Sequence, residues 1–421
     1  MLKLVTYPGV KVENLPGNCI LPRKAGICTG PFSNNSIAAF SERCGIENSG
    51  PVFLTLRCNK KLPAEGYILE ISEKGITVEA SCEQGVIWAL TTVANLLDDG
   101  KLPCCRIEDA PKYSHRGISL DCARHFFPAK EVKRIINTMS LAKLNVLHWH
   151  LSDDQGWRIE SRKFPRLQEV SEAYFTQDEI RDVVQYAALR GVEIIPEIDL
   201  PGHTSGILAA YPEYSCSGRE VNLAACGGIY PVILCAGKEK TSQFLKELLA
   251  EITKLFPGSR FHISGDEAPK SEWKKCPHCQ ARMRELGITS YEDLQADFSR
   301  RVSDILKSLG KQTICWNETL RADTPPEDIQ IQYWTLQYRD TRQNACWVNR
   351  HILNKIFTQQ KNIAIKRCII IFHLFYCKRL EPFFQKYIST QWATTGYCCQ
   401  IGTPLPGSCI FGQMLSTNSS E

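Results

Sequence analysis

No stretch of this chain is apolar for long enough to cross a bilayer. The longest candidate, CIIIFHLFYC (368–377), falls short of a span and carries His373, so no transmembrane helix and no membrane partner are expected. The opening residues, MLKLVTYPGV, have no extended apolar core and no small-residue cleavage site. A secretory signal is therefore not read, and a cytoplasmic location is expected. A phosphate-cradling glycine loop, a nucleophile-elbow serine and an HExxH pair are also missing, which removes nucleotide hydrolysis, serine-type acyl transfer and zincin chemistry and leaves no cofactor expected. Two further gaps lie late in the chain: no glycine occurs from Lys311 to Thr395, and no acidic residue from Thr341 to Leu380.

Cysteine, by contrast, is abundant, with 20 in 421 residues. They are scattered, with no spacing that suggests a disulfide framework, and without an export signal they read mostly as reduced thiols. Cys276-Pro-His-Cys279 could be half of a zinc site or a redox pair, or a local disulfide or free thiols in a loop. A four-ligand site needs two more ligands that the sequence does not reveal, so no metal is assigned.

The net charge of +5 is unevenly placed. Residues 341–421 hold nine basic and two acidic side chains, whereas the first 340 hold 41 and 43. The basicity belongs to the tail, and no nucleic-acid partner is read from it.

Three regions emerge: a small α+β unit over 1–111, an alternating strand–helix region over 112–340, and a divergent basic tail over 341–421. In the first, GYILEISEKGITVEA (66–80) predicts two strands about a turn at Lys74-Gly75, and EQGVIWALTTVANLL (83–97) places Val86, Ile87, Leu90, Val93, Ala94 and Leu97 at helical spacing. The segment CCRIEDAPKY (104–113) ends the unit with a linker-like Asp-Ala-Pro. In the second, strands are predicted at 116–122, 145–153, 191–199, 260–267, 312–318 and 329–334, with helices at 128–144, 176–190, 241–256 and 290–310. Gly191 and Gly310 follow helices as C-terminal caps do. Repeated βα units predict an α/β fold, and polar residues at the carboxyl ends of the strands favour a (β/α)8-type barrel. Only six strands are recognisable. The tail shows no clear period and reads as sequence unrelated to the barrel, such as a frameshift or read-through would produce.

The chemistry gathers at the strand ends. FHISGDEAPK (261–270) closes a buried strand with Gly265 and then presents Asp266 and Glu267. Neighbouring side chains on a regular strand face opposite ways, so two can converge only where the strand ends and turns. Such a pair can divide acid–base labour when environment separates the two pKa values, or can be an exposed pair capping a helix. HWHLSDDQGWR (148–158) places His150, Asp153, Asp154 and Trp157 at the second strand end, with His148 read as core. EIDLPGHTSG (197–206) adds Glu197, Asp199 and His203; LDCARHFFP (120–128) adds Asp121, Arg124 and His125. Arg124 suits a bidentate grip on vicinal hydroxyls or a buried ion pair with Asp121. Trp316 and Trp334, ending the fifth and sixth strands, suit packing against a pyranose face or a place in the core.

RGISLDCARHFFP, LNVLHWHLSDDQGWRIE, PEIDLPGHT, FHISGDE and WNE, in this order and spacing, resemble the β-N-acetylhexosaminidases of glycoside hydrolase family 20 over about 113–340. Residues 1–110 are similar to the small domain that precedes the barrel there. The resemblance implies an exo-acting hydrolase that removes terminal β-linked N-acetylglucosamine or N-acetylgalactosamine from glycans or chitin-type oligosaccharides. It implies substrate-assisted retention, with the substrate's own acetamido oxygen as nucleophile. Glu267 then matches the general acid, which burial would keep protonated near neutrality, and Asp266 matches the group orienting the acetamide. Arg124 matches the ligand of the 3- and 4-hydroxyls; Asp153, Asp154 and His203 match the network behind the acids; Trp316 and Trp334 match part of the acetamido pocket. The family also draws a Tyr-x-Asp and a Trp-x-Glu pair from its seventh and eighth strands, and neither pattern is read after Trp334. A truncated, non-catalytic product with at most weak sugar binding is the competing reading. A two-carboxylate hydrolase acting through a covalent intermediate is a third. Oligomeric state is not legible.

Overall fold

The computed structural model describes residues 10–323 and 326–332. Trp334, the 341–421 tail and the place of any seventh or eighth strand lie outside the described residues.

The first unit is a mixed six-stranded sheet: β1 (Lys11–Ile20), β2 (Lys24–Cys28), β3 (Glu47–Cys58), β4 (Tyr67–Ser72), β5 (Gly75–Ala80) and β6 (Lys101–Asp109), in the order β1-β6-β4-β5-β3-β2. Helices α1 (Asn35–Cys44) and α2 (Glu83–Leu96) complete it. The predicted hairpin is β4–β5, paired from Tyr67↔Ala80 to Ser72↔Gly75, so the turn falls on Glu73-Lys74. The segment before the linker-like Asp-Ala-Pro is strand: β6 runs to Asp109 and is bonded to both β1 and β4. β1 is missed by periodicity because nine of its ten residues are exposed or only partly buried. Within α2, Trp88 and Leu96 are buried, while the expected Ala94 and Leu97 are only partly so.

The second unit alternates as predicted. Its strands are β7 (Gly117–Asp121), β8 (Val146–His150), β11 (Glu193–Glu197), β12 (Arg260–His262), β13 (Gln312–Trp316) and β14 (Gln330–Gln332); a short ladder, β9 (Ser152–Asp153) and β10 (Gly156–Trp157), follows β8. The intervening helices are α3 (Ala129–Leu141), α4 (Arg166–Glu169), α5 (Gln177–Ala188), α6 (Ser205–Leu208), α7 (Glu239–Ile252), α8 (Ser271–Lys275), α9 (Pro277–Leu286) and α10 (Tyr291–Ser308). All five neighbouring pairs are parallel, and the order β7-β8-β11-β12-β13-β14 never reverses. A doubly wound sheet would reverse at a switch point, whereas a barrel adds each strand beside the last. The described strands are thus an incomplete (β/α) barrel.

Alternation along the strands decides which side chain meets which layer. In β8, Leu147 and Trp149 join the large core that also holds Phe175, Phe244, Phe256 and Trp273. Val146, one step away, packs instead with Ile195 and Ile314 in a small separate cluster. His148 and His150 share the face of Val146, nearer the carboxyl end. The inner face is therefore apolar early in the strands and polar where they end.

Candidate active site

Each strand end contributes to one connected network. Leaving β7, Asp121 Oδ1 accepts the backbone N–H groups of Ala123 (3.0 Å) and Arg124 (2.9 Å), which folds the chain back. The Arg124 guanidinium then sits between two carboxylates, 2.7 Å from Asp121 Oδ2 and 2.6 Å from Asp153 Oδ2. Of the two sequence readings of Arg124, the ion pair with Asp121 is present, and 32% of the side chain stays exposed. Asp153 and Asp154 are buried, and each reaches His203 Nδ1, at 3.3 and 3.1 Å. The other ring nitrogen of His203 lies 3.4 Å from Glu267 Oε2. Burial opposes charge on His203, but Asp153, Asp154 and Glu267 outweigh it and hold the imidazolium far above its ordinary range.

Local sequence explains how adjacent acids share this site. The strand stops at His262, and Ser264 (φ +61°), Gly265 (φ +91°) and Glu267 (φ +44°) all take left-handed backbone conformations. These turns break the alternation that would send Asp266 and Glu267 to opposite faces. Asp266 is pushed up by burial, against the opposing charge of His203 and a hydrogen bond donated by the Ser264 hydroxyl at 2.6 Å. Glu267 is less enclosed than expected, with 32% of its side chain exposed.

Behind the pair, Trp316 Nε1 donates to Glu197 Oε1 at 2.9 Å, and His148 Nε2 and His262 Nδ1 lie 2.7 and 2.9 Å from the same carboxylate. Burial would raise Glu197, but His262, His148 and His150 hold it well below the carboxylate range. His148 is a buried ring, as expected of a core residue, and its Nε2 faces the Glu197 carboxylate. His150 Nε2 lies 3.0 Å from Asp199 Oδ1. Burial pushes Asp199 well above the carboxylate range, against the opposing charge of His150.

Seven of the eight predicted residues therefore converge: Arg124, Asp153, Asp154, His203, Asp266, Glu267 and Trp316. Trp334 lies outside the described residues. Glu318, in Trp316-Asn317-Glu318, is a site residue that the strand-end pattern does not single out. Its Oε2 accepts the backbone N–H of Glu267 at 3.2 Å. Burial and the nearby Asp266 raise its pKa to about 7. One reading of the sequence needs correcting: Tyr338-Arg339-Asp340 does have Tyr-x-Asp spacing, only four residues after Trp334 and outside the described residues. Two clefts, of about 310 and 380 Å³, lie at the opposite strand ends, beside Glu193 and Gln312, and are not part of this site.

The described strands make an incomplete parallel (β/α) barrel with an acid pair and a histidine–carboxylate network at its carboxyl ends, the face where such barrels carry their sites. The chain belongs to glycosyl hydrolase family 20: the catalytic-domain model of that family matches residues 113–360, and its domain 2 model matches 33–110. The chain is 36% identical over 305 residues to a Beta-hexosaminidase of Porphyromonas gingivalis, covering 67% of this chain and 39% of that protein. It is 32% identical over 285 residues to the human Beta-hexosaminidase subunit beta, covering 64% and 50% respectively. Among solved structures, a beta-N-acetylhexosaminidase from Bacteroides fragilis superposes with a TM-score of 0.73 at 31% identity, over 79% of this chain and 70% of that one. An exo beta-N-acetylglucosaminidase of the same family from Vibrio harveyi, solved with N-acetylglucosamine, superposes with a TM-score of 0.69 at 31% identity, over 79% and 57%. The chain spans only 39% and 51% of the first two curated relatives it matches.

Proposed function

We propose that this site removes a terminal β-linked N-acetylhexosamine from a glycan or chitin-type oligosaccharide, with retention and with the substrate's acetamido oxygen as nucleophile. The observation that carries the reading is the placement of Asp266 and Glu267 as immediate neighbours on a left-handed turn, with His203 against Glu267. A two-carboxylate retaining site instead sets its acids on either side of the bond, about 5 Å apart. The likeness to relatives named as hexosaminidases supports the same reading.

In the proposed reaction, Glu267 donates its proton to the glycosidic oxygen as the acetamido oxygen bonds to the anomeric carbon. The C–O bond to the aglycone breaks, leaving an oxazolinium ion. Asp266 orients the acetamide and balances the charge that develops on it. Glu267, now a carboxylate, takes a proton from water, which attacks the anomeric carbon and reopens the ring. Arg124, fixed by Asp121 and Asp153, offers its remaining N–H donors to the outer hydroxyls. Asp153, Asp154 and His203 hold Glu267 in place, and Trp316 lines the acetamide side.

A chromogenic N-acetyl-β-glucosaminide assay on the folded chain tests this, with Glu267→Gln as control. Loss of a positioned general acid should reduce kcat by about 10²–10⁴-fold. Folded protein with no turnover above that control would support the non-catalytic reading instead.

A further inference from the structure

Cys276 and Cys279 find in space the two partners that the sequence did not reveal. Cys216, from the long loop after β11, and Cys235, near the end of that loop, bring their sulfurs to the same point. The Cys216–Cys279 distance is 3.8 Å, and Cys235 lies 3.6 Å from both Cys276 and Cys279. All four sulfurs lie within 4.8 Å of one another, and all but Cys216 are fully buried. Four thiolates on a tetrahedral zinc ion, each about 2.3 Å from the metal, stand about 3.8 Å apart. Disulfide sulfurs stand about 2.05 Å apart.

We propose that Cys216, Cys235, Cys276 and Cys279 form a structural Zn²⁺ site. The backbone is arranged for it. Cys276 is the N-cap of α9 and Cys279 lies in its first turn, so one helix start brings both sulfurs to the same point. Gly237 donates its backbone N–H to Cys235, and its own missing Cβ would fall 2.1 Å from His278 O, so only glycine lets the two ligand loops come this close. The strand-like bridge between Ser215 and Leu234 sets the other two ligands side by side. With four protein ligands, the coordination shell has no open position, so the role is structural and not catalytic.

The position gives the site a purpose. One ligand loop begins at Pro201-Gly202-His203, and the other follows Glu267 directly. They also meet through Trp273 Nε1, which donates to Leu234 O at 2.9 Å, and Leu234 N, which donates to Pro201 O at 3.1 Å. The ion would clip together the segments that carry His203 and Glu267.

The test is elemental analysis of the full chain, purified reduced from zinc-containing medium and passed through a chelating buffer. One zinc per chain is expected. Cys216→Ser and Cys279→Ser should each lower it about fivefold or more, while Cys28→Ser and Cys226→Ser, outside the cluster, should leave it unchanged. If the cluster variants do not fold, cobalt-loaded wild-type protein decides. Thiolate-to-cobalt charge transfer with tetrahedral d–d bands is expected, and a spectrum without them overturns the proposal. Zinc at background in the wild type overturns it as well, as does mass spectrometry pairing these cysteines in disulfides.

Discussion

At Glu318 opposing effects are summed in one carboxyl. Burial and the charge of Asp266 raise it, the Glu267 N–H and Arg321 lower it, and the raising effects win, placing it at about 7. An unfolded glutamate titrates near 4.3. Between those values the folded protein keeps a proton that the unfolded chain has lost, so this group stabilises below about pH 4 and its contribution falls away as pH rises through 7. Glu318→Gln should flatten that part of the stability–pH curve and raise stability at pH 8 by on the order of 1–3 kcal/mol. Parallel denaturation curves for the two proteins from pH 4 to 8 would count against the assignment. The amide oxygen still accepts the Glu267 N–H, so the fold of the acid loop is kept.

Residues of this kind mark the limit of what the sequence made legible. Asp266, Glu267, His203 and Arg124 announce themselves because charged groups at the end of a buried strand have no packing reason to be there. Glu318 is equally close to the acid pair, but it acts through a backbone N–H, and no side-chain pattern reports that. Cys216 and Cys235 were invisible for a related reason: 18 residues of loop separate them, and only the fold brings them to Cys276 and Cys279.

At the level of elements, the six barrel strands were readable because each is a short apolar run, and amphipathic helices separate β7, β8, β11, β12 and β13. The start of α5 shows how local chemistry fixes such a helix: the Thr176 hydroxyl accepts Glu179 N–H, and Glu179 answers with Thr176 N–H, a capping box. The edge strands of the first sheet carry no such signal. The end of β12 was predicted as strand to residue 267, whereas regular pairing stops at His262 and the left-handed turns begin two residues later. Gly265 permits this. Its φ is +91°, and an added Cβ would sit 2.8 Å from Thr319 Oγ1. Gly265→Ala should cost about 1–3 kcal/mol in urea denaturation and slow turnover as the acid pair shifts. An unchanged midpoint together with an unchanged rate would show that the turn does not control the acids.

Across the whole molecule, the small sheet and the barrel meet through buried polar contacts as well as apolar ones. Lys143, at the end of α3, places Nζ 2.8 Å from Asp109 Oδ2 with neither side chain exposed, and it also donates to the Tyr67 hydroxyl at 2.7 Å. Arg116 reaches Glu65 from the barrel side at 2.6 Å. Removing one member of a buried pair strands the other charge, so Lys143→Met should destabilise by about 3–5 kcal/mol, as read by chemical denaturation. A loss below about 1 kcal/mol would mean that the pair is solvated and does not couple the two units.

The central claim is that the acid pair works on a sugar which brings its own nucleophile. The direct measurement is the initial rate of the folded chain on 4-nitrophenyl N-acetyl-β-glucosaminide beside the same glucoside with a plain 2-hydroxyl. Substrate assistance predicts that the N-acetylated compound is favoured by about a hundredfold or more. Equal rates on the two would contradict it.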